Sequence, residues 1–306
     1  MVIKECIESV LIQDCQEWEL LISDDGSTDG SREYLDTLMD SRITLFKQDK
    51  NLGIFGNLNF LFKHAKASVS QILCQDDYFI NTNSLNKIVR YWDTVSSEVG
   101  FVRFNHTESS QCHTINLQTK ITPSLLTPNN SDIWFFVFGN IPGNLSNVSL
   151  RTHIITDVGG FNESLPFAGD FEFWVRAARK FLMGVEKDLV IYVRRHNNAA
   201  SNYLSLKGEL YPQHIFIYKS LIDNLSNNYD KRQLVKYFNL EVCSFHYRTA
   251  IKAALQGKLG YLKTFIEAKS PICWPKVMQM ILCFPFAIFN GKQNYTVDLA
   301  KKLIAN

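Results

Sequence analysis

The 306-residue chain is 46% hydrophobic, 13% aromatic and 20% charged, the balance of an ordinary globular protein, which excludes a disordered or collagen-like chain. Its 32 Lys and Arg against 30 Asp and Glu leave a formal charge of +2, so no bulk field draws nucleic acid or an acidic membrane, and any charged ligand must be recognised locally. Seven cysteines, odd in number, scattered and without a CxxC pair, argue against a disulfide framework or a zinc knuckle and fit a reducing compartment. Charges at Lys4, Glu5, Glu8 and Asp14 interrupt any signal-peptide core, and the expectation is a cytoplasmic protein.

Ile3, Ile7, Val10 and Leu11 recur at helical spacing and predict an amphipathic helix from the first residues. Trp18 to Ile22 reads as a buried strand stopped by Ser23-Asp24-Asp25-Gly26-Ser27. A second helix is expected from Ser27 or Asp29 with Tyr34, Leu35, Leu38 and Met39 on its apolar face, and Arg42 to Lys47 reads as a strand. Leu58, Leu61, Phe62 and Ala65 mark a third helix, Gln71 to Cys74 a strand ending in Gln75-Asp76-Asp77, and Leu85, Ile88, Val89 and Trp92 a fourth helix. Alternation of this kind through Phe104 predicts an α/β fold with a mostly parallel sheet flanked by helices, whose ligand sits beyond the carboxyl ends of the strands. Asn105 to Asp132 fades into loop-forming composition, Gly139 to Asn147 is rich in turn formers, a helical pattern resumes at Asp170, and the chain beyond Ser201 reads as helical. Val277 to Phe289, within the apolar run from Trp274, is the most apolar stretch, too short to span a bilayer. It fits a buried core helix or a helix lying against a membrane surface, and Pro285 and the lack of a basic stripe tip the balance to the core helix.

Three acidic clusters fall where such a sheet presents a ligand: Asp24-Asp25, Asp76-Asp77, and Asp170 with Glu172. Carboxylates gathered at strand ends repel one another, which suggests a divalent cation or ligand hydroxyls as compensation. Helix capping explains any one of them equally well.

The run Trp18-Glu19-Leu20-Leu21-Ile22-Ser23-Asp24-Asp25-Gly26-Ser27-Thr28-Asp29-Gly30-Ser31 resembles the nucleotide-binding signature of the family 2 glycosyltransferases, inverting enzymes of GT-A fold. The likeness continues in order through Asn51-Leu52-Gly53 with Asn57 and Asn59, Gln75-Asp76-Asp77 as a DxD-type motif, and Gly159 to Leu165 followed by Asp170-Phe171-Glu172-Phe173-Trp174-Val175-Arg176. The resemblance implies a glycosyltransferase domain over residues 1–201 with a helical region over 202–306. It implies that Asp25 and Asn51 bind the nucleotide with Asp24 supporting their loop, that Asp76 meets the ribose or sugar, and that Asp77 binds Mg²⁺ or Mn²⁺ at the donor diphosphate. Asp170 would be the general base, ionised with an ordinary pKa of about 3.9. Trp174 and Arg176 read as packing and surface residues, and His196 as structural or close to the diphosphate. The implied partners are a nucleotide-sugar donor and a glycan or lipid-linked glycan acceptor, with no nucleic acid; peripheral contact at the inner membrane face belongs to the alternative reading of Trp274 to Phe289.

Two departures accompany the resemblance. The family's opening strand, one wall of the base pocket, does not precede the helix that starts at Val2, so either an upstream in-frame strand or a non-catalytic remnant acting as a binding module is expected. Gly169 stands where the family usually carries an acid. A nucleotidyltransferase would need a Gly-rich, basic phosphate loop near the N-terminus, and the sequence has none there.

Overall fold

The computed structural model describes residues 2–108, 122–194, 207–288 and 301–302; His196 and Cys112 lie outside them. The chain forms two compact units, Met1–Ser131 with Asn140–Arg195, and Asp132–Gly139 with His196–Asn306.

The first unit opens with helix α1 (Val2–Leu11), which buries Ile7 and Val10. Strand β1 (Leu20–Asp24) pairs in parallel with β2 (Ile43–Lys47), with Leu20 beside Ile43 and Asp24 beside Lys47. Between them α2 is only Ser31–Leu35. The expected apolar face overruns it: Leu38 and Met39 lie beyond the helix, and Met39 is exposed. Helix α3 (Gly53–His64), β3 (Val69–Gln71), β4 (Tyr78–Phe79) and α4 (Ser84–Thr94) follow. Strands β5 (Val99–Glu108), β6 (Leu125–Leu126), β7 (Val148–Arg151) and β8 (Leu182–Val193) complete a six-stranded sheet of order β3-β7-β5-β8-β4, with β6 on β8.

That sheet is mixed rather than mostly parallel. β5 and β8 run parallel, whereas β3–β7, β5–β7, β4–β8 and β6–β8 are antiparallel. A parallel neighbour needs a crossover of a dozen or so residues, and here β4 follows β3 through a short turn while β7 enters from the turn-rich segment at 139–147. One sheet face packs Val102, Phe104 and Ile191 on Ile88 and Trp92 of α4 and on Val10 of α1. On the other, Phe101 stacks against the buried Trp174 of helix α7 (Gly169–Ala178) at 5.1 Å, after the short α6 (Ile154–Val158).

Among the described residues the two sheets do not join. Between β1 and β3 lies an apolar cavity of about 360 Å³ lined by Trp18, Leu20, Leu21, Val69 and Leu73. The buried Trp18 Nε1 and Gln71 Oε1 at its walls have no hydrogen-bond partner among the described residues.

The second unit takes in α5 (Ser131–Phe138) from residue 132 on, then α8 (Leu210–Leu225), α9 (Lys231–Phe238), a π turn at Asn239–Cys243, α10 (Ser244–Leu255), α11 (Gly260–Glu267) and α12 (Lys276–Ile288). Its buried knot is Asn239, whose amide donates to the carbonyls of Val235 and Ile272 and accepts from Trp274 N and Gln279 Nε2. No helix among the described residues is long and apolar enough to cross a membrane.

Candidate active site

The carboxyl end of β1 delivers Asp24 and Asp25 to different tasks. Asp24 is buried; it accepts from Ser27 N at 3.1 Å and from Arg32 Nε at 2.7 Å. Burial alone would raise its pKa, but the Ser27 hydrogen bonds and the Arg32 guanidinium outweigh that and hold it below the usual carboxylate range. All of this ties the loop to its own helix. Asp25 reaches the start of α3, accepting from Leu52 N at 2.7 Å and Gly53 N at 3.0 Å, two of the amides a helix start leaves unpaired. Asn51 donates to Asp25 O and accepts from Gly53 N, closing the loop. Asn57 then accepts from Ser23 Oγ, and Asn59 joins Phe161 and Glu163, so α3 carries the loop and the 159–165 segment together.

The turn after β3 places Cys74, Asp76 and Asp77 so that one ligand atom of each falls within 4.8 Å of the others. Asp77 is buried and accepts from Ser146 Oγ at 2.6 Å and Arg194 N at 2.9 Å. Burial, helped by the charge of Asp77, pushes the Cys74 thiol up to about 12, so at neutral pH the thiol of this cluster is neutral.

Asp170 is the second residue of α7, near enough to this cluster for its charge to add slightly to the raising of the Cys74 thiol. Asn140 Nδ2 donates to its Oδ2 at 2.8 Å. The carboxyl is not of ordinary acidity: protein crowded around it strips away water and pushes its pKa up to about 6, against the lowering effect of the Phe171 amide and Asn140. Asn140 Oδ1 is buried and has no donor among the described residues.

Glu172 and Arg176 form an ion pair at 2.6 Å, and Arg176 also donates to the carbonyls of Val158 and Gly160, so Arg176 fastens α7 to the preceding loop rather than lying on the surface. A side chain at Gly169 would meet the Phe55 ring at 2.7 Å and Asn162 O at 3.0 Å. An acid in place of Gly169 would have to displace that ring.

Three residues that patterning does not single out complete the cluster. Ser146 and Asn140 sit in the turn-rich run from Gly139 to Asn147, and Arg194 follows the last residue of β8, donating from Nε to Asp76 O at 3.0 Å and ion-pairing with Glu5. The only signal in the sequence is the density of Asn, Gly and Ser between two apolar runs.

Residues 2–147 match the model of the family described as glycosyl transferase family 2. The chain is 26% identical over 198 residues to the Escherichia coli UDP-Glc:alpha-D-GlcNAc-diphosphoundecaprenol beta-1,3-glucosyltransferase WfaP, covering 64% of this chain and 72% of that one. It is 24% identical over 208 residues to an uncharacterized glycosyltransferase of Haemophilus influenzae, covering 65% and 63%. Among solved structures it superposes on S. aureus TarS 1-349 in complex with UDP-GlcNAc with a TM-score of 0.61 at 18% identity, over 99% of this chain and 86% of that one. A second likeness is to the mannosyltransferase PcManGT of Pyrobaculum calidifontis in complex with GDP-Man and Mn²⁺, TM-score 0.57 at 15% identity, over 99% and 83%. Residues 2–147, just under half of the chain, thus match the family 2 glycosyltransferases, and the fold is that of the solved GT-A glycosyltransferases on which the chain superposes.

Proposed function

We propose that the chain moves a sugar from a nucleoside-diphosphate donor to a hydroxyl of a glycan or lipid-linked glycan in one inverting displacement. The observation that carries this reading is Asp170: a crowded carboxyl with a raised pKa, gripped by Asn140, beside a cluster of two further carboxylates. A base poised near 6 is ionised at neutral pH yet more basic than a solvated Asp, which suits removal of a hydroxyl proton.

The ligand set of Asp76 and Asp77 fits a hard divalent cation, because the third member, Cys74, stays protonated and leaves oxygens as the donors. These residues would hold Mg²⁺ or Mn²⁺, which when bound would offset the charge developing on the departing diphosphate. Asp25 and Asn51 would meet the nucleoside with the lone pairs their backbone contacts leave over, Asp24 keeps that loop in place, and Asp76 would reach the ribose or sugar. Asp170 takes the proton from the acceptor hydroxyl as the new oxygen–carbon bond forms, and the bond from the anomeric carbon to the diphosphate breaks with its electron pair leaving on the diphosphate oxygen. Attack opposite the leaving group inverts the centre. The unpartnered Asn140 Oδ1 beside Asp170 is placed to accept from a sugar hydroxyl.

The likeness to WfaP suggests UDP-glucose and a polyprenyl-diphosphate-linked N-acetylglucosamine as the first pair to try, with sugars on other nucleotides as a second round. With Mn²⁺, wild-type protein should release the nucleoside diphosphate and give a β-linked product from an α-linked donor, read by NMR. Asp170→Asn caps α7 as well as Asp does and should lose roughly 10² to 10⁴ in transfer rate. A retained anomeric configuration, or near-normal transfer by Asp170→Asn, would overturn the assignment.

A further inference from the structure

The near-neutral overall charge hides a split along the sequence. Residues 1–201 carry 18 Lys and Arg against 24 Asp and Glu, a net of −6, whereas residues 202–306 carry 14 against 6, a net of +8. The absence of a bulk field therefore holds for the sum and not for the C-terminal region, whose local potential favours an anionic surface.

The same region carries an apolar face that the fold leaves open. Helix α12 turns Gln279, Cys283 and Ala287, spaced four apart, into the unit. Five of its apolar side chains face outward, Val277, Met278, Ile281, Leu282 and Phe284, with Val277 73% exposed, Ile281 66% and Phe284 47%. The reading of this stretch as a buried core helix therefore fails on one side. No Asp, Glu, Lys or Arg occurs from Val277 to Gly291, so the outer face lacks the charged residues that normally solvate a surface helix. The turn joining α10 to α11 repeats the theme with Leu255 and Leu259 largely exposed on either side of the exposed Lys258.

We propose that the outer face of α12 lies in the headgroup region of an anionic lipid bilayer, with the lysines of the C-terminal region supplying the electrostatic attraction. Burial of the apolar face gives the hydrophobic part of the binding, and each Lys near the surface adds attraction that salt screens. A bilayer explains both observations at once, since a second copy of this region would set +8 against +8. The inference does not rest on the catalytic reading.

The test is co-sedimentation of the full chain with vesicles. Wild-type protein should partition onto phosphatidylglycerol vesicles at least about tenfold better than onto phosphatidylcholine vesicles, and the difference should collapse in 0.5 M NaCl. Ile281→Asp with Val277→Asp should cut partitioning at least about tenfold while the far-UV circular dichroism spectrum and thermal midpoint stay close to wild type. Should that pair unfold, Val277→Ser with Ile281→Ser serves instead, and Lys258→Glu with Lys263→Glu tests the charge component independently. Wild-type protein that stays in the supernatant with phosphatidylglycerol would overturn the proposal. So would variants that bind as well as wild type, or a wild-type dimer in light scattering that Ile281→Asp with Val277→Asp dissolves without changing vesicle binding.

Discussion

At the scale of single residues, Asp170 sets chemistry against folding. Its pKa is about 6 in the folded protein and about 3.9 in an unfolded chain, so between those pH values the folded state keeps a proton that the unfolded state has released. Stability therefore falls as pH rises through that window and stays lower above it, by up to about 3 kcal/mol. Asp170→Asn removes the effect. Urea unfolding without added metal should find the variant about 1–3 kcal/mol more stable than wild type at pH 8, with the gap closing toward pH 4; a gap independent of pH would show that burial does not raise this carboxyl. Transfer by the wild-type enzyme should in turn fall as pH drops through about 6, as the base gains its proton. Glu172 is the contrast, because its carboxylate is committed to Arg176. Glu172→Gln should cost about 1 kcal/mol of stability, in keeping with the loss of a partly buried ion pair, and leave turnover within a few fold of wild type.

Among the elements, β1 and β3 flank an apolar cavity. The α1 helix begins at the active-site end, where Glu5 meets Arg194 and Cys6 donates to Cys74 O, and the chain enters β1 at the opposite end, through Trp18. A strand placed ahead of α1 would thus run parallel to β1 in a right-handed crossover and fill the space between the two sheets. Joining a five-residue apolar strand and a polar turn ahead of Val2 should raise the thermal midpoint by several degrees, on the order of 2 kcal/mol for a few buried aliphatic side chains; an unchanged midpoint would show that the cavity does not accept a strand. Gly169→Asp should cost about 1–3 kcal/mol through collision with the Phe55 ring, and Phe55→Leu should recover part of it, whereas a silent Gly169→Asp would contradict the packing. Where elements were legible in the sequence, and where not, follows from the same forces. The stripe of Ile7 and Val10 gives α1 because one buried face decides it. The apolar run from Trp18 to Ile22 misplaces β1 by two residues because pairing with Ile43–Lys47, rather than hydropathy, fixes where the strand lies. The apolar stripe through Met39 overruns α2 because its period continues into a turn. Alternating helix and strand gives the α/β class but not strand direction, since β4 and β7 arrive through turns that no hydrophobic period records.

For the molecule as a whole, hydrogen bonds join Asp25 to residues 52–53, Asp77 to Ser146 and Arg194, and Asp170 to Asn140, all within the first unit. The acidic members stand out in sequence because carboxylates clustered at strand ends are costly without a ligand. Their partners do not, because Ser146, Asn140 and Arg194 are common residue types that matter only through contacts across tens of positions. If a cation at Asp77 holds a nucleoside diphosphate here, isothermal titration calorimetry with UDP and GDP, with and without Mn²⁺, should find at least one of the two binding in Mn²⁺, weakened at least about tenfold by chelator and as much by Asp77→Ala, a loss of more than about 1.4 kcal/mol. Failure of both nucleotides to bind, or binding that ignores both Mn²⁺ and Asp77→Ala, would contradict it.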